Sequence, residues 1–172
     1  MISMDSNRDI AQLLAAMTTF DAGDPRRIQH FLKVHDLARA IGVLEGLEGE
    51  TLFTLEAAAL VHDIAIRPCE AELGRCDGRL QEEHGPKYAR ALLQELKFDP
   101  AVMDRVCWLV GHHHTYTDIR DLDYQILVEA DCLVNLYEDD APRSAVEAAL
   151  ERIFRTESGA ALCRDMFGLR EA

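Results

Sequence analysis

Residues that interrupt helices are scarce in this sequence, and so are the alternating patterns that build strands. Only five prolines and ten glycines occur among 172 residues. Alanine, leucine, glutamate and arginine are abundant, and all four are good helix formers. An apolar share of 48% is enough for a packed core and disfavours disorder. The composition therefore predicts an all-α globular protein.

Other absences restrict the setting and the partners. No apolar run approaches the ~20 residues that a bilayer span needs, and the first ten residues lack the apolar segment of a signal peptide. The net charge is −13 without a cluster of Lys and Arg, which disfavours duplex nucleic acid, because its phosphates require a basic surface. Five cysteines without a C-x-x-C indicate reduced thiols. We expect a cytoplasmic protein that binds neither membrane nor duplex nucleic acid.

Helix signals follow one another without an internal repeat or a linker. Asp24 and Pro25 start one helix, because Asp caps the backbone N–H groups and Pro suits the first helical position. Pro68 is expected to end the helix that begins near residue 50, and residues 68–81 are predicted to form a loop. Further helices are predicted near residues 82–96, 100–113, 121–137, 142–156 and 160–167.

The domain prediction follows from this pattern. We expect seven or eight helices in one domain over residues 1–172, with a core at about 25–140 and flanking helices at both ends. The apolar positions of the first and last helices suit either a homodimer contact or the cover of the core.

Histidines are the first candidates for chemistry. His35 shares a helical stripe with Phe31 and Ala38, so it is predicted to point inward. His30 lies five residues earlier on a different face and is predicted to lie at the surface. His84 lies near the start of a predicted helix.

Two aspartates stand in apolar surroundings. His62 and Asp63 follow the apolar run at 57–61, and Asp131 lies within the apolar stretch at 126–134. A carboxylate in such surroundings is costly to bury without a cation or hydrogen-bond partners. Imidazole and carboxylate are the usual ligands of Zn, Mn and Fe(II), which makes a metal site between packed helices the natural interpretation.

Each of these residues also has a purely structural explanation. An inward histidine is more often a hydrogen-bonded core residue than a ligand, and a buried aspartate can cap a neighbouring helix. The three histidines at 112–114 fit a helix C-terminus, where the helix dipole favours cations. Five such explanations would be needed together, so a shared metal site accounts better for the whole pattern.

The order of His35, then His62 with Asp63, then Asp131 resembles the H…HD…D signature of the HD-domain superfamily of metal-dependent phosphohydrolases. The resemblance covers about residues 25–140. It implies that these four residues bind one divalent ion.

Two-metal members of that superfamily use further histidines, and His84, His113 and His114 occupy comparable places, with Asp63 then bridging the ions. This region is similar to bacterial HD hydrolases that cleave symmetrical dinucleoside polyphosphates. The sequence does not choose between His113 and His114. The resemblance implies one or two ions of Fe, Mn, Zn, Ni or Co.

The implied function is hydrolysis of a nucleotide or other small phosphomonoester, phosphodiester or phosphoanhydride by a metal-activated water. Asp63 would orient or deprotonate that water. Ile66 stands where the superfamily often has lysine, so Arg67 is the first choice for the phosphate contact and Lys87 the second. The alternatives are a non-catalytic module that binds metal or nucleotide for regulation, and a di-iron HD-type oxygenase.

Overall fold

The computed structural model describes residues 5–169, which form nine α-helices and no β-strand. This confirms the predicted all-α fold. The helices are α1 (Ser6–Phe20), α2 (Pro25–Leu44), α3 (Gly49–Val61), α4 (Ile66–Leu73), α5 (Gly78–Glu95), α6 (Pro100–Val110), α7 (Leu122–Glu138), α8 (Arg143–Arg152) and α9 (Glu157–Met166).

Aspartate side chains begin several of these helices. Asp24 accepts a hydrogen bond from the backbone N–H of Arg27, and Asp99 accepts one from that of Ala101. Each is followed by a proline at the first helical position, where a missing N–H costs nothing. The predicted starts of α2 and α6 are therefore confirmed.

The predicted loop at 68–81 is wrong in its first half. Pro68 does not end a helix; it lies in the first turn of α4, where no backbone N–H has an intrahelical partner to lose. α3 instead ends at Val61, and α4 ends at Gly74, whose φ of 72° is the left-handed conformation typical of a helix end. This extra short helix raises the number within residues 5–169 above the predicted seven or eight.

α2 lies at the centre of the fold, packed between α3 and α7. α3 also contacts α1 and α6, α5 lies on α6, and α9 contacts α7. As a result, the N-terminal third of α2, the turns that follow α3 and α6, and the middle of α7 converge on one place. None of the helices within residues 5–169 combines the length and apolar character that a membrane span requires.

Candidate metal centre

Four side chains from α2, the α3–α4 turn and α7 meet where these elements converge. The Nε2 atoms of His30 and His62 are 3.3 Å apart. His30 Nε2 lies 3.2 Å from both Asp63 Oδ2 and Asp131 Oδ1, and His62 Nε2 lies 3.4 Å from the same two oxygens. Two imidazole nitrogens and two carboxylate oxygens thus face one small volume.

Asp63 also belongs to a second group. Its other oxygen, Oδ1, lies 3.4 Å from His113 Nε2, and His114 offers a further nitrogen beside them. The rings of His113 and His114 are 4.1 Å apart, centroid to centroid. The two oxygens of Asp63 therefore point toward two neighbouring ligand groups, as a carboxylate that bridges two ions would.

Two of the rings are oriented by the helices that they follow. His62 comes directly after α3, and its Nδ1 is 2.7 Å from the carbonyl oxygen of Ala59. His113 comes shortly after α6, and its Nδ1 is 2.8 Å from the carbonyl oxygen of Val110. The last four carbonyls of a helix lack intrahelical partners, so a ring N–H can donate to them. With the Nδ1–H donated in this way, the neutral form of each ring presents the lone pair of its Nε2 atom toward Asp63.

The pKa shifts in the cluster show that it favours bound positive charge. Burial on its own lowers the pKa of His30, but the carboxylates of Asp131 and Asp63 outweigh it and raise that pKa to about 9. Burial likewise opposes the charges of Asp63 and Asp131, yet the neighbouring histidines hold the pKa of both carboxyl groups below the usual range. Protons on the imidazoles balance the two acids when no other cation does.

Two buried atoms of the cluster support a metal cation in place of those protons. His113 Nε2 and Asp131 Oδ1 are buried, and neither makes a hydrogen bond of good geometry within residues 5–169, although His113 Nε2 lies 3.4 Å from Asp63 Oδ1 and Asp131 Oδ1 lies 3.2 Å from His30 Nε2. An unpaired buried polar atom is costly, and coordination to a cation removes that cost. The donor set of imidazole and carboxylate suits a divalent transition metal. These residues therefore fit a metal centre.

Among the histidines predicted from sequence, His35 lies apart from this cluster. Its Nε2 is 3.0 Å from Glu56 Oε1, and it belongs to neither ligand group of the described residues. His30, predicted to lie at the surface, is only 7% exposed, so that prediction is wrong. One buried stripe of α2 recurs at spacings of three and four and includes His30 but not His35: His30, Val34, Ala38 and Ile41, with Phe31 and Gly42 buried beside it.

Of the other residues predicted for the site, some lie in the cluster and some lie outside it. Both His113 and His114 join the second group, whereas His84 is half-buried on α5 and joins neither. Arg67 donates from Nη1 to the carbonyl oxygen of Ala22 at 2.9 Å. Lys87 is exposed, with its Nζ 4.8 Å from the ring centre of Tyr88.

A cavity of about 300 Å³ opens beside the first ligand group. Its cationic side chains are those of Arg26 and Arg27, not that of Arg67, and His30 and Asp63 form part of its wall. Arg27 also contacts Asp24 at 3.7 Å and Glu70 at 3.4 Å. Arg26 and Arg27 lie one helical turn before His30, and this spacing is the feature of the sequence that could have predicted their place beside it.

Comparison with known proteins identifies the family of this chain. The model of the HD domain family matches residues 27–146. This chain belongs to the HD domain family. A solved structure similar to this HD domain protein is that of a predicted HD superfamily hydrolase from an uncultured Thermotogales bacterium, at 27% identity and a TM-score of 0.62. The match covers 94% of the present chain and 85% of that one. No curated protein matched the sequence.

Proposed function

We propose that this HD domain protein is a hydrolase that uses two divalent metal ions to cleave a small phosphorylated molecule. His30, His62, Asp63 and Asp131 would hold the first ion. Asp63, His113 and His114 would hold the second. His30 replaces His35 in the ligand set that the sequence predicts, because its ring faces the other ligands.

The observation that carries this proposal is the position of Asp63. Its Oδ2 faces His30 and His62, while its Oδ1 faces His113. A carboxylate shared between two sets of imidazoles is the arrangement of two-metal hydrolytic sites, where the ions lie roughly 3.5–4 Å apart.

Bound metal would supply a water of lowered pKa and polarise a phosphoryl oxygen. The chain's own residues would do the rest. Arg27 and Arg26 line the cavity beside His30, where guanidinium groups can receive phosphate oxygens in bidentate contacts. Asp63 would also orient the attacking water.

The substrate that these features favour is a nucleotide or another small phosphate ester or anhydride. A cavity of about 300 Å³ is at the small end of ligand sites, and its lining combines both arginines with the carboxylates of Asp24, Asp63 and Glu138. The divalent ions would offset the carboxylates that otherwise repel an anion. The cavity is open to solvent, so a larger substrate would extend beyond it.

Elemental analysis combined with a substrate panel tests the proposal. Protein purified without a metal-affinity tag should contain close to two transition-metal ions per chain. When reloaded with Mn, Fe(II), Ni, Co or Zn, it should release phosphate or nucleoside monophosphate from members of a panel of nucleotides, dinucleoside polyphosphates and sugar phosphates.

The matched variants are Asp63→Asn and His35→Gln. Asp63→Asn should lose metal and turnover together, since one side chain serves both ion sites. His35→Gln should retain both. Metal-loaded protein that leaves every panel member intact contradicts the proposal. If nucleotides raise its melting temperature without being cleaved, the protein is a regulatory module, and if it consumes oxygen, it is an oxygenase.

A further inference from the structure

The second ring nitrogen of His30 contacts a charged residue of another helix. His30 Nδ1 lies 3.1 Å from Glu138 Oε2 on α7. Glu138 Oε1 lies in turn 2.9 Å from Lys33 Nζ, which is three residues beyond His30 on α2. The side chains of His30 and Glu138 are 8% and 15% exposed, so their contact is largely shielded from water, whereas the side chain of Lys33 is 38% exposed.

The position of His30 explains why it needs such a partner. His62 and His113 follow helix ends and can donate to carbonyls of their own helices. His30 lies within α2, where the backbone carbonyls are already bonded to N–H groups four residues later. An acceptor for its Nδ1–H must therefore come from another element.

α7 provides that acceptor at the required distance. Asp131 and Glu138 are seven residues apart, or two helical turns, and so lie on one face of α7. Asp131 approaches the Nε2 atom of His30, and Glu138 approaches the Nδ1 atom of the same ring. The imidazole of His30 therefore lies between two carboxylates of α7, with Nε2 facing Asp131 and Nδ1 facing Glu138.

We propose that Glu138 is a positioning residue for the metal centre. By accepting the Nδ1–H of His30, it fixes the tautomer in which the Nε2 lone pair faces the ion, and Lys33 holds Glu138 in place. This inference rests on the proposed function, because it assumes that His30 is a ligand. Carboxylate partners of this kind typically raise metal affinity about 10–100-fold.

The chain contains a matched control on the same helix. His35 contacts Glu56 at 3.0 Å, and Arg39 contacts the same Glu56 oxygen at 3.2 Å. This is again a histidine, a carboxylate and a cation, but it lies outside both ligand groups. Variants of Glu56 therefore remove the same chemistry without touching the metal centre.

The experiment measures metal affinity by competition with a chromophoric chelator, using Zn²⁺ and Co²⁺, for Glu138→Ala, Glu138→Gln, Glu56→Ala and the unmodified protein. Glu138→Ala should bind the metal of the first site about 10–100-fold more weakly. Glu138→Gln should stay within a few-fold of the unmodified protein, because its amide oxygen still accepts the N–H. Glu56→Ala should not change the affinity.

Ring ¹⁵N chemical shifts of His30 give a readout that does not depend on metal. In the metal-free protein, under conditions where the His30 ring is neutral, Glu138→Ala should mix the two neutral tautomers, while Glu138→Gln should keep the Nδ1–H form. If Glu138→Ala does not fold, Glu138→Gln and Lys33→Met still report, and Lys33→Met should weaken metal binding less than Glu138→Ala.

Two results would overturn the inference. An unchanged affinity in Glu138→Ala would show that the ring does not depend on Glu138. A loss in Glu138→Gln equal to that in Glu138→Ala would make Glu138 a ligand or a charge partner and not a positioning residue. Failure of the proposed function looks different, because the unmodified protein itself would then bind no metal at these residues, or would bind metal and leave every member of the substrate panel intact.

Discussion

At the scale of single residues, Asp21 stands out because its carboxyl group is buried at the C-terminal end of α1. Asp21 is 2% exposed, and its Oδ1 has no hydrogen-bond partner among the described residues. Burial raises its pKa from 3.8 to about 6, although the nearby charge of Arg27 acts in the opposite direction. The folded protein therefore prefers the protonated form of Asp21.

This preference predicts a pH-dependent gain of stability in Asp21→Asn. Protonation of Asp21 favours the folded state, so its contribution is full below pH 3.8 and is lost as the pH rises through about 6. At pH 7, Asp21→Asn should raise the free energy of unfolding by roughly 1–3 kcal/mol. Urea unfolding of metal-free protein should show this gain at pH 7 and none near pH 3.5. A gain that is equal at both values contradicts the assignment.

A second prediction at this scale concerns Arg27, which lines the cavity beside His30. Arg27→Gln should raise the KM for a phosphorylated substrate about 10-fold, because one charge-assisted contact is worth on the order of 1.5–3 kcal/mol. Metal content should not change, since Arg27 contacts Asp24 and Glu70 and not the ligands.

Arg67→Gln is the matched control for Arg27→Gln. Arg67 donates to the carbonyl of Ala22 and does not line the cavity, so its replacement should leave the KM within about two-fold. A larger effect at Arg67 than at Arg27 would restore the ranking that the sequence alone suggests.

Single residues also show where sequence reasoning succeeds and where it stops. The sequence points to Asp63 and Asp131 because acids in apolar runs are costly unless they meet a cation, and the structure places both within 3.4 Å of His62 Nε2. The choice of His35 over His30 rested on local neighbours, Phe31 and Ala38, whereas the true buried stripe of α2 depends on where α3 and α7 pack. That packing is a long-range property, and one position on a helix turns a side chain by about 100°.

At the scale of helices, the contact between α5 and α6 is unusually close at Gly85. A Cβ atom added there would lie 2.6 Å from Val110 Cγ1, and Val110 is fully buried. Alanine ordinarily favours a helix over glycine by about 1 kcal/mol. At position 85, an overlap at 2.6 Å makes alanine less favourable than glycine, because a packed core cannot shift freely.

Gly85→Ala is therefore expected to lower the free energy of unfolding by roughly 1–3 kcal/mol. In a Gly85→Ala/Val110→Ala double variant, part of that loss should be recovered relative to the sum of the two single changes, since the smaller side chain makes room. Urea denaturation of the four proteins gives the coupling. Additive losses would show that the close approach is not what restricts position 85.

Helix boundaries were predictable where a side chain makes a local bond. The Asp-Pro pairs at the starts of α2 and α6 are of that kind. The start of α4 is not: its first residue follows Ala65, which makes no side-chain cap bond, and Pro68 suits a first turn as well as a helix end. Only the position of the turn at 62–65 decides between these two outcomes.

At the scale of the whole molecule, Glu129 ties the last helix to the helix that carries Asp131. Glu129 is fully buried on α7 and accepts hydrogen bonds from the backbone N–H groups of Arg155 and Thr156 and from the Thr156 hydroxyl. Gln125 Nε2 donates to it as well. We propose on this basis that α9 belongs to the same domain as the metal centre.

Glu129→Ala should lower the free energy of unfolding by about 2–4 kcal/mol, because it leaves several buried donors without a partner. Glu147→Ala is the control: Glu147 pairs with Arg143 on the exposed side of α8 and should change stability by less than about 0.5 kcal/mol. Thermal and urea unfolding measure both. Equal effects of the two variants would mean that Glu129 does not hold α9 in place.

The bonds from His62 and His113 to carbonyls of the preceding helices have a consequence for protein design. Each ring is oriented by a backbone carbonyl three residues before it, so four consecutive residues contain both the histidine and the carbonyl that orients it. Such a segment is portable. When it is transplanted onto the end of a helix in an unrelated bundle, the histidine ring should keep its orientation without any contact from the host's side chains. A histidine placed like His30 would also need an acidic residue such as Glu138 on a neighbouring helix.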